Sequence, residues 1–226
     1  MSGTDAHAAG EAYDATPYVP RRGGLEAHRR AAAGCKGCPL FKEATQTVFG
    51  AGDPMARLVL VGEQPGDQED RQGEPFVGPA GRLLRNALKD AGLDQEPVYV
   101  TNAVKHFKFT VAERGKRRIH KAPSLREVAA CKPWLDAEMG MVDPDVVVAL
   151  GATAGRALLG GSFRVAKDRG ALIPMPVGES CDRGTEEAKR HILATLHPSA
   201  VLRSDDREAA YGGLVADLRV AADALH

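Results

Sequence analysis

Four short apolar runs constrain the fold of this 226-residue chain more than any other feature of its sequence. They are rich in β-branched residues, and the segments between them have helical periodicity. The runs are Arg57–Val61, Pro97–Val104, Asp145–Leu150 and His191–Leu196. Strands that alternate with helices predict right-handed crossovers and a mainly parallel sheet covered on both faces. We therefore expect an α/β fold, a three-layer α/β/α arrangement around a central, mainly parallel four-stranded sheet.

The segments between and after the runs contain the predicted helices. Helical spacing of apolar residues indicates Pro79–Leu93, Ala152–Leu159 and Arg207–Ala222. A further helix is expected to begin at a capping box formed by Ser124 and Glu127, and to kink or restart at Pro133.

The sequence contains no internal repeat and no linker, which favours one domain over residues 25–226. Residues 1–24 are rich in Ala, Gly and mixed charges and lack the apolar core of a signal peptide, so we expect a flexible tail and a cytoplasmic protein. The turn-rich segment 174–188 predicts a surface excursion. No apolar run is long enough to cross a bilayer, so we expect no membrane partner.

The charge balance argues against a protein that coats nucleic acid indiscriminately, because Lys+Arg and Asp+Glu both number 30. Residues 105–121 are a local exception, because they contain seven basic residues and only one acidic residue, Glu113. Such a run indicates either a solvated loop or a patch that binds phosphates.

Polar side chains follow the ends of several predicted strands. The first strand leads into Gly62–Asp67, which carries Glu63; Asn102 lies near the end of the second, and His197 follows the fourth. Because the carboxyl ends of parallel strands share one edge of a sheet, we expect these side chains to converge on one crevice. A carboxylate, an amide and an imidazole suit the recognition of a polar heterocycle.

Two of the four cysteines, Cys35 and Cys38, form a CxxC, whereas Cys131 and Cys181 stand alone. No strand precedes the CxxC as in thioredoxin-like proteins, and the second CxxC of a zinc ribbon is missing. The spacing favours metal binding, and it leaves zinc and an iron–sulfur cluster open.

Several longer motifs resemble those of one known family, the iron–sulfur uracil-DNA glycosylases. They are Gly62–Asp67, Pro75–Gly81, Tyr99–Asn102 and His197–Ser199, and their order and spacing match over nearly all of residues 35–220. The insertion Lys116–His120 is similar to that of the uracil-DNA glycosylase X subgroup, which stays covalently bound to DNA after removing uracil.

The resemblance implies a [4Fe-4S] cluster with Cys35, Cys38 and Cys131 among its ligands. The family's fourth cysteine is replaced here by His106, which becomes the expected fourth ligand, with Cys181 as the alternative. The cluster's role would be structural.

The resemblance also implies how uracil is held and removed from DNA. Phe76 would stack on the base, and the Asn102 amide would pair with its O4 and N3–H edge. His197 would donate a hydrogen bond to the departing uracil, while Glu63 stabilises the sugar cation. The uracil-binding set implied in this way is Gly62, Gln64, Asp67, Phe76 and Asn102.

The basic run suggests a fate for the sugar cation. Neighbouring positive charges disfavour imidazolium, so His120 should be neutral and nucleophilic at pH 7. We expect His120 to attack C1′, with Glu63 removing its remaining proton, in a single turnover. The expected phosphate contacts are Lys116, Arg117, Arg118 and Arg203.

These expectations describe a DNA-repair hydrolase that acts as a monomer on uracil-containing DNA, associated with the nucleoid through that DNA. Single-stranded DNA is the expected partner, with the duplex left open. Two alternatives remain: a glycosylase that uses water and turns over, and a non-catalytic nucleic-acid-binding module organised by zinc.

Overall fold

The computed structural model describes residues 13–112, 117–175 and 190–226. Its strands are β1 Ala51–Gly52, β2 Leu58–Gly62, β3 Val98–Asn102, β4 Phe109–Val111, β5 Arg118–His120, β6 Val146–Leu150, β7 Leu172–Pro174 and β8 His191–Thr195. Its helices are α1 Leu25–Ala32, α2 Asp67–Gln72, α3 Pro79–Asp90, α4 Leu125–Val142, α5 Gly151–Leu159, α6 Val165–Asp168, α7 Pro198–Leu202 and α8 Arg207–Asp223.

The main sheet has the strand order β1-β3-β2-β6-β8-β7. Its four central strands are parallel, which confirms the predicted sheet, and β1 and β7 add antiparallel edges that we did not predict. The register sets Gly62, the last residue of β2, opposite Asn102, the last residue of β3. Two polar strand ends are therefore neighbours.

Both faces of the sheet are covered, because alternate residues of each central strand enter different cores. Leu58 and Leu60 pack with α3, α7 and α8, whereas Val59 and Val61 pack with α4 and α5. All four side chains are fully buried. The structure thus confirms the three-layer α/β/α arrangement.

Helix α4 begins at the predicted capping box. The Glu127 N–H donates to Ser124 Oγ over 3.3 Å, and Glu127 Oε2 accepts from the Ser124 N–H over 2.6 Å. Pro133 does not restart this helix, because a single helix spans Leu125–Val142. The expected restart is therefore wrong, and the alternative, a kink at Pro133, stays a prediction.

Residues 13–24, which we expected to belong to a flexible tail, pack against the domain instead. Ala15 is 2% exposed, and its N–H donates to the Ala130 carbonyl over 3.0 Å. Gly37 admits this contact, since a Cβ there would lie 2.6 Å from Ala15 Cα. A third core forms around this segment, and it contains Cys35, Cys38 and Cys131.

Strands β4 and β5 form a separate antiparallel pair, which we call the His120 hairpin. It places Phe109 opposite His120. Most of the predicted surface excursion at 174–188, including Cys181, lies outside the described residues, although Pro174 ends β7. Within the described parts of the chain, no helix is long and apolar enough to cross a membrane.

Candidate active site

A cavity of about 530 Å³ opens where β2, β3, β6 and β8 end. Glu63, Asn102 and His197 all line it, so the predicted convergence of strand ends occurs. Other predicted site residues along its wall are Gln64, Asp67, Phe76, His120 and Arg203. The cavity therefore unites residues that are up to 140 positions apart in the sequence (63 to 203).

The floor of the cavity is a close contact between Gly62, Asn102 and Phe76. A Cβ on Gly62 would lie 2.3 Å from Asn102 Oδ1 and 2.6 Å from the Phe76 ring. Only glycine leaves room for the amide and the ring to approach this strand end together. The two side chains are buried, at 2% and 8% exposed.

Phe76 adopts a left-handed backbone conformation, with φ at 56°. A bulky residue in this region is strained, so the surroundings must hold it there. Gly81 does so by close packing, since a Cβ at that position would lie 1.6 Å from the Phe76 carbonyl oxygen. Arg85 Nη1 also donates to that oxygen over 3.1 Å. The ring is consequently pre-positioned beside the cavity.

His197 lies across from the Phe76 ring, with 6.2 Å between ring centroids. Its Nδ1 accepts the Ser199 N–H over 3.1 Å. Burial lowers the pKa of His197 to about 4, so the ring is neutral at pH 7. Because Nδ1 is the acceptor, the proton of the neutral ring is assigned to Nε2, which is left as a hydrogen-bond donor.

Glu63 contacts a different partner with each carboxylate oxygen. Thr153, near the start of α5, donates its hydroxyl to Oε2, while Oε1 lies 3.4 Å from His120 Nε2. The Glu63 side chain is 23% exposed and that of His120 is 49% exposed. The threonine therefore fixes the orientation in which the carboxylate faces the imidazole.

His120 has a lowered pKa, as we predicted, but for a different main reason. Burial is the largest cause, and the Arg203 guanidinium lowers the pKa further, while Glu63 opposes both. The neighbouring basic run is therefore not the dominant influence. A neutral imidazole at pH 7 follows in either case.

The His120 hairpin is attached to the domain through Gln64 and Arg118. Gln64 Nε2 donates to the carbonyls of Lys108 and Lys121, each over 3.1 Å; these neighbouring residues lie just before β4 and just after β5. The Gln64 side chain is thereby committed to the hairpin, which leaves it poorly suited to the uracil contact we expected of it.

Arg118 contacts acids of α2 rather than solvent. Its guanidinium pairs with Asp67 and with buried Asp70, both over 2.5 Å, and lies over the Phe107 and Phe109 rings. Its side chain is 12% exposed. Its charge is thus already paired inside the protein, and a phosphate contact by Arg118 stays a prediction.

Of the other expected phosphate contacts, Arg117 and Arg203 are exposed, and Arg203 also lines the cavity. Lys116 lies outside the described residues. The Arg203 side chain therefore places a positive charge at the rim of the cavity.

Comparison with known proteins agrees with this geometry. Residues 49–219 match the family model described as the uracil DNA glycosylase superfamily. The chain belongs to the uracil DNA glycosylase superfamily. Its relatives include the type-4 uracil-DNA glycosylase of Thermotoga maritima, which is 37% identical over 77% of this chain and 81% of the relative.

Two further relatives show the breadth of the similarity within the superfamily. The type-4 uracil-DNA glycosylase of Sulfurisphaera tokodaii is 32% identical over 79% of this chain and 76% of its own length. The type-5 uracil-DNA glycosylase of Thermus thermophilus is 34% identical over 67% and 68%. The range matched by the family model, residues 49–219, includes the strand ends that form the cavity.

A second cluster of polar and sulfur-bearing residues lies in the third core of this superfamily member. Cys35, Cys38 and Cys131 are 7%, 8% and 5% exposed. Burial raises the pKa of the Cys131 thiol to about 12 and also raises that of Cys38. Two of these sulfurs accept hydrogen bonds, each over 3.3 Å. Trp134 Nε1–H donates to Cys35 Sγ, and the Lys105 main-chain N–H donates to Cys131 Sγ.

His106 is joined to the CxxC segment by a chain of hydrogen bonds. The Ala32 carbonyl accepts both the Cys35 N–H and the Thr47 hydroxyl, over 3.0 and 2.9 Å. Since Thr47 donates its proton there, its oxygen accepts from His106 Nε2, 3.0 Å away. His106 therefore retains an unprotonated Nδ1, and a metal-binding histidine commonly has its other nitrogen held by an oxygen in this way.

Nowhere in the described ranges do three or more His, Cys, Asp or Glu side chains converge as the ligands of a single metal ion would. Buried thiols, N–H groups aimed at sulfur and one oriented imidazole are nevertheless chemically suited to hold an iron–sulfur cluster.

Sequence reasoning missed Thr153, Thr47 and the buried pair Lys105–Glu138. Thr153 follows a predicted strand, which places it near the site, but its bond to Glu63 depends on the tertiary arrangement. Lys105 falls in the basic run, where nothing in the sequence indicates that its side chain is 1% exposed.

Proposed function

We propose that this chain is a uracil-DNA glycosylase of the X subgroup, which excises uracil and is then retained on the DNA through a covalent bond from His120. The observation that carries the proposal is the position of His120 Nε2, 3.4 Å from Glu63 Oε1 at the edge of the cavity. The superfamily membership supplies the substrate class.

Base recognition depends on Phe76 and Asn102. A nucleotide must leave the stack to enter a cavity of this depth, and the Phe76 ring offers an apolar surface for its base. The Asn102 side chain lines the cavity, and its amide can accept from N3–H and donate to O4 of uracil. Cytosine presents the opposite pattern on this edge, so it is disfavoured.

Bond cleavage moves the glycosidic electron pair onto N1 of uracil and leaves positive charge on C1′ and the ring oxygen of the sugar. His197 Nε2–H is available to donate to O2 of the uracil anion, and its neutral state makes it a hydrogen-bond donor rather than an acid. The Glu63 carboxylate stabilises the sugar cation through its charge.

Capture follows when an unprotonated nitrogen of neutral His120 attacks C1′ and forms a C–N bond. The proton on the other ring nitrogen passes to Glu63, which leaves a neutral glycosyl imidazole. If water attacked C1′ of this adduct, the imidazole would have to leave as imidazolate, a strongly basic anion. Water therefore does not readily displace it. The enzyme is consumed in one turnover.

The [4Fe-4S] cluster belongs to the same proposal, with Cys35, Cys38, Cys131 and His106 as its ligands. Bound there, it would supply a fixed crosslink between segments that are distant in sequence. Burial lowers the pKa of His106 to about 4, which keeps the imidazole in the neutral form that ligation requires. The ligand set is thus a clamp outside the cavity.

Phosphate binding by Arg117 and Arg203 would supply affinity for uracil-containing single-stranded DNA. Both residues are exposed, and contacts to phosphates do not depend on base sequence. Affinity should therefore fall steeply as salt concentration rises.

Incubation with a uracil-containing single-stranded oligonucleotide, followed by a denaturing gel, tests the proposal. We expect a slow-migrating protein–DNA band that resists heat and detergent, with an equimolar release of uracil. The same oligonucleotide with thymine in place of uracil should give neither product.

The variant His120→Ser separates capture from excision. It should form no adduct yet still release uracil, because water can then reach the sugar cation. If the unmodified protein releases uracil but the gel shows only free abasic DNA, the capture proposal is wrong and the protein is an ordinary glycosylase that turns over. Absence of both products would contradict the glycosylase proposal itself.

A further inference from the structure

The mechanism leaves unexplained the most buried ion pair of the described residues, Lys105–Glu138. The two side chains are 1% and 0% exposed. A buried pair of this kind is expensive to desolvate and is weak evidence of a gain in stability. Its contacts therefore need another explanation.

The Lys105 ammonium has three N–H donors, and each has an acceptor. Nζ donates to Thr101 Oγ1 over 2.7 Å, to the Asn102 carbonyl over 2.8 Å, and to Glu138 Oε2. The middle contact reaches the main chain of the residue that faces the base. All three donors are thus used, and two of them contact the end of β3, at Thr101 and Asn102.

Glu138 is the counter-ion that keeps this ammonium in place. Its carboxylate accepts from the Tyr99 hydroxyl over 3.0 Å, from the Gly50 N–H over 2.9 Å, and from Thr101 Oγ1. The network therefore ties α4 to β3 beneath the floor of the cavity.

The main chain of Lys105 is also fixed at both of its polar groups. Its N–H donates to Cys131 Sγ over 3.3 Å, and its carbonyl accepts from the Val48 N–H over 2.8 Å. The residue consequently has a fixed backbone next to the cysteine cluster and a fixed charge next to Asn102. It spans the distance between the two sites.

We propose that Lys105 is a positioning residue for base recognition, which orients Asn102 by holding its carbonyl. The inference rests on the proposed function, since it assigns a role in selecting uracil. The peptide after Asn102 is held on one side by its N–H, which the Ala103 nitrogen donates to the Gly62 carbonyl over 2.9 Å, and on the other by the ammonium. Without the ammonium the Asn102 carbonyl loses its partner, and the side-chain amide is held less precisely toward O4 and N3–H. Recognition of uracil falls while binding to phosphates is unaffected.

The test uses the iron-loaded protein and single-stranded oligonucleotides that cannot be cleaved. A fluorine at the 2′ carbon withdraws electrons and destabilises the sugar cation, so 2′-fluorodeoxyuridine gives an equilibrium Kd. An oligonucleotide with 2′-fluorodeoxycytidine at the same position is the matched probe. The ratio of the two Kd values measures selection of uracil.

Lys105→Met alone would leave Glu138 charged and buried without a counter-ion, so the variant to measure is Lys105→Met with Glu138→Gln. The glutamine retains an acceptor for Tyr99 and Gly50. We expect about a tenfold weaker Kd for the uracil probe, as for loss of one charge-assisted hydrogen bond, and an unchanged Kd for the cytosine probe. The visible absorbance of the cluster should be retained.

Tyr99→Phe is the matched control, because it removes a hydrogen bond from the same network and leaves the ammonium contacts intact. This variant should have the same ratio of the two Kd values as the unmodified protein. Equal selection by the double variant and the unmodified protein would overturn the inference, as would equal weakening of both probes. If the unmodified protein itself fails to prefer uracil, the proposed function fails instead, and the two failures are thereby distinguished.

Discussion

At the scale of single residues, the chemistry depends on two histidines that stay neutral in different surroundings. His197 is enclosed beside Phe76, and its Nδ1 is capped by a main-chain N–H. His120 is half exposed, and partial burial together with Arg203 lowers its pKa. The first ring therefore suits the proposed role of a fixed donor, and the second suits that of an accessible nucleophile.

The rate of adduct formation should depend on pH through His120. A lowered pKa means that the ring binds a proton only below the ordinary histidine value of 6.5. We expect the single-turnover rate at saturating DNA to be level from pH 8 to 6.5 and to fall at lower pH as imidazolium forms. Rapid-quench measurements over this range check it, and a fall centred above pH 6.5 would contradict a lowered pKa.

Thr153 should matter to capture although it touches no DNA in the proposal. Thr153→Val keeps the shape of the side chain but removes the hydroxyl that holds Glu63. Loss of a hydrogen bond to a carboxylate is worth about 1.5–3 kcal/mol, so adduct formation should slow by roughly tenfold or more. Thr153→Ser retains the donor and should retain most of the rate. Equal slowing in both variants would contradict the role of the hydroxyl in orienting Glu63.

The identities of the central residues could be predicted from the sequence, but their partners could not. Glu63, Asn102 and His197 follow recognisable strands, and parallel strands must end at one edge. The bond from Thr153 to Glu63 and the pairing of Arg118 with Asp70 join residues 90 and 48 positions apart. Such contacts depend on side-chain packing, which has no period in the sequence.

At the scale of elements, the His120 hairpin is the part that would separate capture from excision in the proposed mechanism. Glu63, Phe76, Asn102 and His197 all belong to the main α/β unit, whereas His120 reaches the cavity through β5. The hairpin is held by the Arg118 pairs and the Gln64 amide. A looser hairpin should therefore affect the bond to C1′ more than the loss of uracil.

Arg118→Lys tests this separation. Lysine keeps a positive charge near Asp70 but cannot form the same forked contacts, so the hairpin should be less firmly held. We expect uracil release to continue while the fraction of DNA in adduct falls several-fold, because water competes for the cation. The two products are measured in one reaction, by chromatography of uracil and by denaturing gel.

Arg117→Lys is the matched control for that experiment, since Arg117 is exposed and lies next to Arg118 in the hairpin. It should leave the partition between adduct and free abasic DNA unchanged. An equal fall in adduct for both variants would mean that general charge, rather than anchoring, governs capture.

The central strands and long helices were predictable because each has an apolar pattern over five or more residues. β1, β7 and the two strands of the His120 hairpin have two or three residues each, too few for a period to be visible. The packing of residues 13–24 was missed for a related reason, since the apolar residues Tyr13, Tyr18 and Val19 recur with neither a helix nor a strand period.

At the scale of the whole molecule, the proposed iron–sulfur cluster would connect the N-terminal segment, the start of the basic run and α4. Its proposed ligands are three buried thiols of the third core and the buried His106 imidazole. The cluster and the cavity are separate sites, and Lys105 lies between them.

Substitutions of His106 test the proposed ligand set. His106→Cys should retain iron at the unmodified level, because thiolate is the usual ligand of such clusters. His106→Ala should lose iron and lower the melting temperature. Iron analysis, visible absorbance and thermal melting provide the measurements, and full iron content in His106→Ala would remove His106 from the ligand set.

The covalent bond from His120 is the central claim, and mass spectrometry of the reacted protein tests it most directly. After reaction with uracil-containing single-stranded DNA, nuclease and trypsin digestion should leave a deoxyribose-derived mass on the peptide that contains His120. Fragmentation should localise the added mass to the imidazole. An unmodified His120 peptide, or an added mass localised to another residue, would contradict the account.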